Sequence, residues 1–175
     1  MTEQTKVPMG AKVLGAGDGK IVPMLGGVSN RFMIDGGETG GRFALVQHLF
    51  QPKALAAPMH RHHDEDEYTY VQSGRIGAVL GDEEVVAGPG DLIFKPRGQW
   101  HTFWNAGDET AAVLEIISSA GLEQLFRSFE HLSGPPDPQT LAEMAAAYHC
   151  DVDFEATFPV VARHGLAFWP SSGTP

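Results

Sequence analysis

The sequence predicts a mainly β domain that ends in helices, and three observations on its 175 residues carry that expectation. Short β-branched and aromatic runs such as Tyr68-Thr69-Tyr70-Val71 recur between glycine and proline turns, as half-buried strands do. The 21 glycines and 12 prolines provide the turns, and 42% apolar residues suit one core. Beyond Ser118 the apolar period changes from two to three and four, which marks helix.

Taken in order, residues 1–20 are polar and glycine-rich and read as a flexible arm or as an edge strand. The strand region spans 21–118. Ile21–Leu25 and Arg31–Ile34 are short strands around Gly26-Gly27, and Asp35 to Gly41 reads as a loop. Arg42–Phe50 is apolar on both faces and belongs between layers. Arg75–Leu80 and Glu83–Ala87 form a hairpin across Gly81-Asp82, a glycine-first loop of type II′. Leu92–Phe94, His101–Asn105 and Thr110–Ile117 supply further strands.

Residues 119–150 form a helical extension. Leu122, Leu125, Phe126, Phe129 and Leu132 stripe a helix over 121–132, and Asp137 as N-cap with Pro138 behind it opens a second. Leu141, Met144, Ala145 and Tyr148 line the inner face of that second helix. Both stripes are expected to pack outside the sheets. The alternative makes the first helix a lid whose Phe126 and Phe129 touch a ligand. Residues 151–175 read as an irregular tail, disordered from Pro170 onward.

Residues 58–105 carry the chemistry. On an extended strand His60 and His62 share a face and Arg61 takes the other. Glu67 lies five residues after His62, so the chain must turn within the polar His63-Asp64-Glu65-Asp66 for its carboxylate to aim at the same point. Further on, Pro96-Arg97-Gly98 reverses the chain, and His101 and Phe103 share one face of the next strand. Three imidazoles and a carboxylate converge. Without thiolate, that set suits iron, manganese, cobalt, nickel, copper or zinc. Four protein ligands leave positions open on an ion that prefers six, as a catalytic site requires. His48, His63, His131, His149 and His164 read as surface or internally satisfied residues.

Spelled out, the halves are His60-x-His62, four residues, Glu67, six residues, Gly74, and Gly90, five residues, Pro96-x-Gly98, two residues, His101, three residues, Asn105. This resembles the double motif of the cupins, departing where Ala54 stands in place of the family's glycine. The resemblance implies a single RmlC-like jelly-roll barrel of two antiparallel sheets with the C-terminal helices packed outside. It also implies one divalent metal ion per chain, held by His60, His62, Glu67 and His101.

The Gly40-Gly41-Arg42-Phe43-Ala44-Leu45-Val46 stretch, the Gly121–Phe126 helix and Pro135-Pro136-Asp137-Pro138 resemble small bacterial single-domain cupins that include quercetin (flavonol) 2,3-dioxygenases. That likeness implies dioxygen-dependent cleavage of a flavonol-like or related small aromatic or enolisable substrate, with Glu67 as ligand and general base. Parity puts Thr69 and Val71 on the Glu67 face and Phe103 on the His101 face, as candidate substrate walls. Two rival readings are another oxygen-dependent carbon–carbon cleavage, of a diketone or catechol, and a non-enzymatic metal- or small-molecule-binding cupin.

Composition narrows the partners. A net charge of -10 argues against nucleic acid and anionic membrane surfaces. The 12 lysines and arginines do not cluster at the motifs, which disfavours a sugar-phosphate isomerase. No helix-turn-helix pattern precedes residue 21, which disfavours a transcription factor. No run approaches the ~18 apolar residues of a membrane span, and the lone Cys150 has no disulfide partner, so a cytoplasmic protein is expected. Apolar outward positions such as Tyr68 and Tyr70 point to a homodimer.

Overall fold

A computed structural model describes residues 10–168. Strands β1 (Lys20–Pro23), β2 (Val28–Ile34), β3 (Ala44–Phe50), β10 (Ala111–Ser118), β5 (Asp66–Ser73) and β8 (Leu92–Lys95) form, in that spatial order, a six-stranded sheet. Against it lies a five-stranded sheet of β11 (Cys150–Asp153), β4 (Met59–His62), β9 (His101–Asn105), β6 (Ile76–Leu80) and β7 (Glu83–Ala87). Both are antiparallel, and pairs distant in sequence, such as β3 with β10, wind the chain into a jelly roll. The Gly81-Asp82 hairpin forms as expected, with Leu80 opposite Glu83 and positive φ at Gly81.

Alternation gives each strand an inner row, and the rows share one pattern. Asn30 stands between Val28 and Phe32, His48 between Val46 and Phe50, and Glu115 between Val113 and Ile117. Val28, Phe50 and Val113 belong to one apolar cluster; Phe32, Val46 and Ile117 belong to another. The interior is therefore a polar layer between two apolar plugs, and that layer holds the site.

Three expectations change. The loop after Ile34 contains a single turn, α1 (Gly36–Thr39), because the Glu38 carboxylate accepts from the Asp35 N–H at 2.9 Å. The irregular tail expected from residue 151 is instead β11 followed by α4 (Phe154–His164). β11 pairs the free edge of β4, with Cys150 opposite His62 and Val152 opposite His60. Asp153 then caps α4 by accepting from the Ala156 N–H at 2.8 Å. Pro159, inside α4, is what disguises that helix in the sequence. Val160 and Leu166 pack with Leu55, Met59 and Trp104 on the outer side of the five-stranded sheet.

Thirdly, the helical stripes do more than cover an outer face. α2 (Glu123–Ser128) and α3 (Pro138–Ala146) lie outside the two sheets but close one end of the barrel, where Leu122, Leu125 and Ala145 join the cluster of Val46 and Ile117. Glu123 and Arg127, one turn apart, fasten α2. Glu123 accepts from the N–H groups of Gly36 (3.1 Å) and Gly121 (2.6 Å), and Arg127 reaches both oxygens of Asp35 at 2.6 and 2.8 Å. Asp137 caps α3 as expected, accepting from the Thr140 N–H at 2.9 Å.

The edge strand near the N-terminus begins at Lys20, and residues 10–19 hold no helix or strand. The first nine residues of the expected arm and the stretch from Pro170 onward lie outside the described residues. Among the described residues, no helix is long and apolar enough to cross a membrane.

Candidate metal centre

The site joins the two sheets. His60 and His62 stand on β4 and His101 on β9 of the five-stranded sheet, where His60 faces His101 directly. Glu67 stands on β5 of the other sheet, reached through a turn at residues 63–65 rather than the expected 63–66, since Asp66 already belongs to the strand. The motif residues around them have visible work. Gly98 (φ 78) donates its N–H to the His62 carbonyl at 2.7 Å, which ties the second motif to the first. At Gly74 (φ 79) a Cβ would lie 2.5 Å from that of Ala111, so only glycine fits. Asn105 donates to the carbonyls of Gln51 and Glu109 and accepts from the Gly107 N–H at 2.9 Å. Ala54, in place of the family's glycine, is fully buried, and the positive φ of that turn falls on Lys53 (62°).

One ligand atom from each of His60, His62, Glu67 and His101 lies within 4.8 Å of the others, and all four residues are buried. The carbonyl of Pro58 accepts from His60 Nδ1 at 2.7 Å and that of Gln99 from His101 Nδ1 at 3.0 Å. Those bonds set the tautomer and leave each Nε2 lone pair facing inward. His101 Nε2 lies 3.2 Å and His62 Nε2 3.5 Å from Glu67 Oε2. Both His62 ring nitrogens are buried without a hydrogen-bond partner. Such orphaned groups are costly, and a divalent ion at the point of convergence would satisfy Nε2. The donor set therefore fits one metal ion.

The fold and part of the sequence recur in known proteins. Residues 46–117 match the cupin domain family. In solved structures the fold recurs in KdgF from Halomonas sp., with TM-score 0.58 and 16% identity over 66% of this chain and 99% of that one. It recurs also in the polyketide cyclase RemF from Streptomyces resistomycificus, with TM-score 0.54 and 30% identity over 62% of this chain and 80% of that one. Residues 46–117 are therefore a cupin domain, within a chain of cupin fold. A gentisate 1,2-dioxygenase from Haloferax sp is 39% identical over 62 residues, which are 35% of this chain but only 17% of that protein.

Behind Glu67 this cupin carries charges that the motif reading passes over. Lys95, fully buried, lies 2.9 Å from Glu67 Oε2 and 3.2 Å from Glu115 Oε2, with its ammonium 4.0 Å from the centre of the Phe103 ring. Thr69 donates its hydroxyl to Glu115 Oε2 at 2.7 Å. His48, held by Asn30 at 2.6 Å, is 3.9 Å from the same oxygen. Burial alone would lower Lys95, but the charges of Glu115 and Glu67 outweigh it and hold it above its ordinary value. Burial would likewise raise Glu67; Lys95 and His62 outweigh it and hold the carboxyl well below the usual range. Burial pushes Glu115 up to about 7 and His48 down to about 4.

On the opposite side, His60 and His62 open onto an apolar cavity of about 100 Å³. Its walls come from the Met24–Gly26 corner, residues 55–58, α2, α3 and β11, with Phe126 and Phe129 among them. Phe126 and Phe129, the residues of the lid alternative, line this cavity, while Thr69, Val71 and Phe103 do not. Thr69 is held by Glu115, and Val71 and Phe103 lie in the apolar plug beyond the polar layer. Parity placed all three on the inner face correctly, but the cavity opens at the other end of that face.

Lys95 and Glu115 were within reach of the same parity argument, since each is the charged residue in an otherwise apolar inner row. Cys150 was not. It stands opposite His62 and lines the cavity only because β11 returns to pair with β4.

Proposed function

We propose that this cupin holds one divalent ion on His60, His62, Glu67 and His101 and cleaves a small enolisable or phenolic substrate with dioxygen. The observation that carries the reading is a buried four-ligand cluster of which two members, His60 and His62, face an apolar cavity. When bound, the ion supplies Lewis acidity and open coordination positions. The residues do the rest. Backbone carbonyls hold the His60 and His101 rings, the apolar walls leave the chamber without a charged side chain, and α2 is fastened over it through its bonds to Asp35 and Gly36.

Of the two roles expected for Glu67, the arrangement favours ligand over general base. A carboxylate paired with the Lys95 ammonium is a poor proton acceptor, and the cavity does not reach it. The match to a gentisate 1,2-dioxygenase supports oxygen chemistry over the 62 residues it covers. A second reading has its own support in the 30% identity to a polyketide cyclase: ring closure of an enolisable substrate in the same cavity, with no need for oxygen.

The deciding experiment loads the protein separately with iron, manganese, cobalt, nickel or copper, confirms occupancy, and follows oxygen uptake with a flavonol, a β-diketone and a catechol. Uptake matched to substrate loss with one ion is the expected result. No uptake with any occupied ion would overturn the dioxygenase reading, and product formed equally under nitrogen would favour the cyclase. We further propose a cytoplasmic homodimer that binds neither nucleic acid nor membrane, its second copy covering the outer face where Tyr70, Leu92 and Phe94 are exposed. A light-scattering mass of one chain would refute the dimer.

A further inference from the structure

We propose that the cavity beside His60 and His62 takes a neutral ligand no larger than a single ring or a short β-dicarbonyl, whose oxygenated edge meets those histidines while the remainder makes only apolar contacts. The inference rests on the metal reading above and adds the substrate class. It comes from what the walls contain. Among the described residues, the cavity is lined by no Asp, Glu, Lys or Arg and by no hydroxyl or amide side chain. Apart from the two histidines, the heteroatoms of its side chains are the sulfurs of Met24 and Cys150.

The charged residues of the covering helix are engaged elsewhere. Arg127 is taken by both oxygens of Asp35 and lies over the Phe32 ring, and buried Glu123 accepts from two backbone N–H groups. Away from the two histidines, a carboxylate or phosphate carried by the ligand would be desolvated in this chamber with no partner among the wall side chains. A neutral ligand avoids that desolvation. An acidic enol or phenol can enter uncharged with its oxygenated edge toward His60 and His62, where a bound ion would supply the Lewis acidity that lowers its pKa.

Volume sets the second limit. An apolar cavity on the order of 150 Å³ holds one benzene ring, so about 100 Å³ suits a single ring or less. A three-ring flavonol would not fit without moving α2, which Glu123 and Arg127 hold in place. Much of the wall, including Met24, Phe126, Phe129 and Leu141, comes from outside the matched cupin segment of 46–117. Selectivity is thus a property of the flanking elements, and the metal ligands belong to the barrel.

The test titrates zinc-loaded full-length protein, zinc being redox-inert, with catechol, with 3,4-dihydroxybenzoate and with quercetin, checking zinc content before and after. Catechol should bind one per chain, the ring-carboxylated acid on the order of 100-fold more weakly, and quercetin not measurably. Ala145→Phe fills the chamber from α3 and should weaken catechol by about tenfold or more with zinc content unchanged. Phe129→Ala enlarges it and should improve the affinity for 2,3-dihydroxynaphthalene relative to catechol, which guards against a filled variant that misfolds. Equal or tighter binding of the acid, or relative affinities unmoved by Phe129→Ala, would overturn the proposal. Tight catechol binding to a protein that never consumes oxygen would overturn the dioxygenase reading and leave this one standing.

Discussion

The two sides of the metal cluster are built from opposite materials. Glu67 backs onto Lys95, Glu115, Thr69 and His48, a buried polar chain, whereas His60 and His62 look into a chamber with no charged wall. One side holds a charge in place and the other excludes charge. The difference teaches that the charged support of the cluster and the uncharged chamber beside it are built from separate parts of the chain. The barrel strands build the first, and α2, α3, β11 and the Met24–Gly26 corner build most of the second.

Breaking the cluster itself should have the largest effect. His60→Ala removes a ligand shared by the metal and the chamber, and metal content measured after dialysis should fall from one ion per chain to near zero. Retention of full stoichiometry would refute the ligand assignment.

Next comes the charged side. Lys95→Met leaves two carboxylates facing one another in the interior and should cost about 3–5 kcal/mol of stability in urea denaturation. Adding Glu115→Gln should restore a large part of that loss, because the second change removes the charge that Lys95 neutralises. Loss without recovery in the double variant would mean that Lys95 matters through packing on Phe103.

A titration tests the same side at intermediate size. Burial, helped by Lys95, holds His48 down at about 4, so the folded protein keeps it neutral while the unfolded chain takes up a proton near 6.5. This contribution is complete above pH 6.5 and is lost as the pH falls toward 4, reaching about 3 kcal/mol. His48→Gln keeps an amide donor for Asn30 and should flatten that part of the stability curve. An unchanged acid slope would remove His48 from the account.

The smallest effect sharpens the contrast. Thr69→Val deletes the hydroxyl that Glu115 accepts and should cost about 1–2 kcal/mol. Catechol binding by zinc-loaded protein should not change, because Thr69 lies outside the chamber. A change in affinity would return Thr69 to the substrate wall.

Much of this was legible in the residue order. The parity of His60 and His62 and the polar turn before Glu67 depend on geometry within a few residues, whereas the glycine and asparagine around His101 are legible by their spacing although Gly98 and Asn105 act through the distant carbonyls of His62 and Gln51. Alternation also exposes Lys95 and Glu115, once their inner rows are read for the charge they carry as well as for their apolar members. Less legible was the stretch from Asp151. A strand of four residues has little periodicity to detect, and Pro159 argues locally against the helix that forms around it.

By itself, then, the sequence determined the β architecture, the four converging ligands and the start of α3 at Asp137, since each follows from side-chain alternation, turn chemistry or capping along a short length of chain. Only the tertiary structure decided at which end of the barrel the cavity lies, that α2 and α3 line it, and that Cys150 lies opposite His62. Those facts depend on long-range pairing and on which apolar stripe finds which exposed edge. Free energy of that kind belongs to the assembled core, and no local run of residues encodes it.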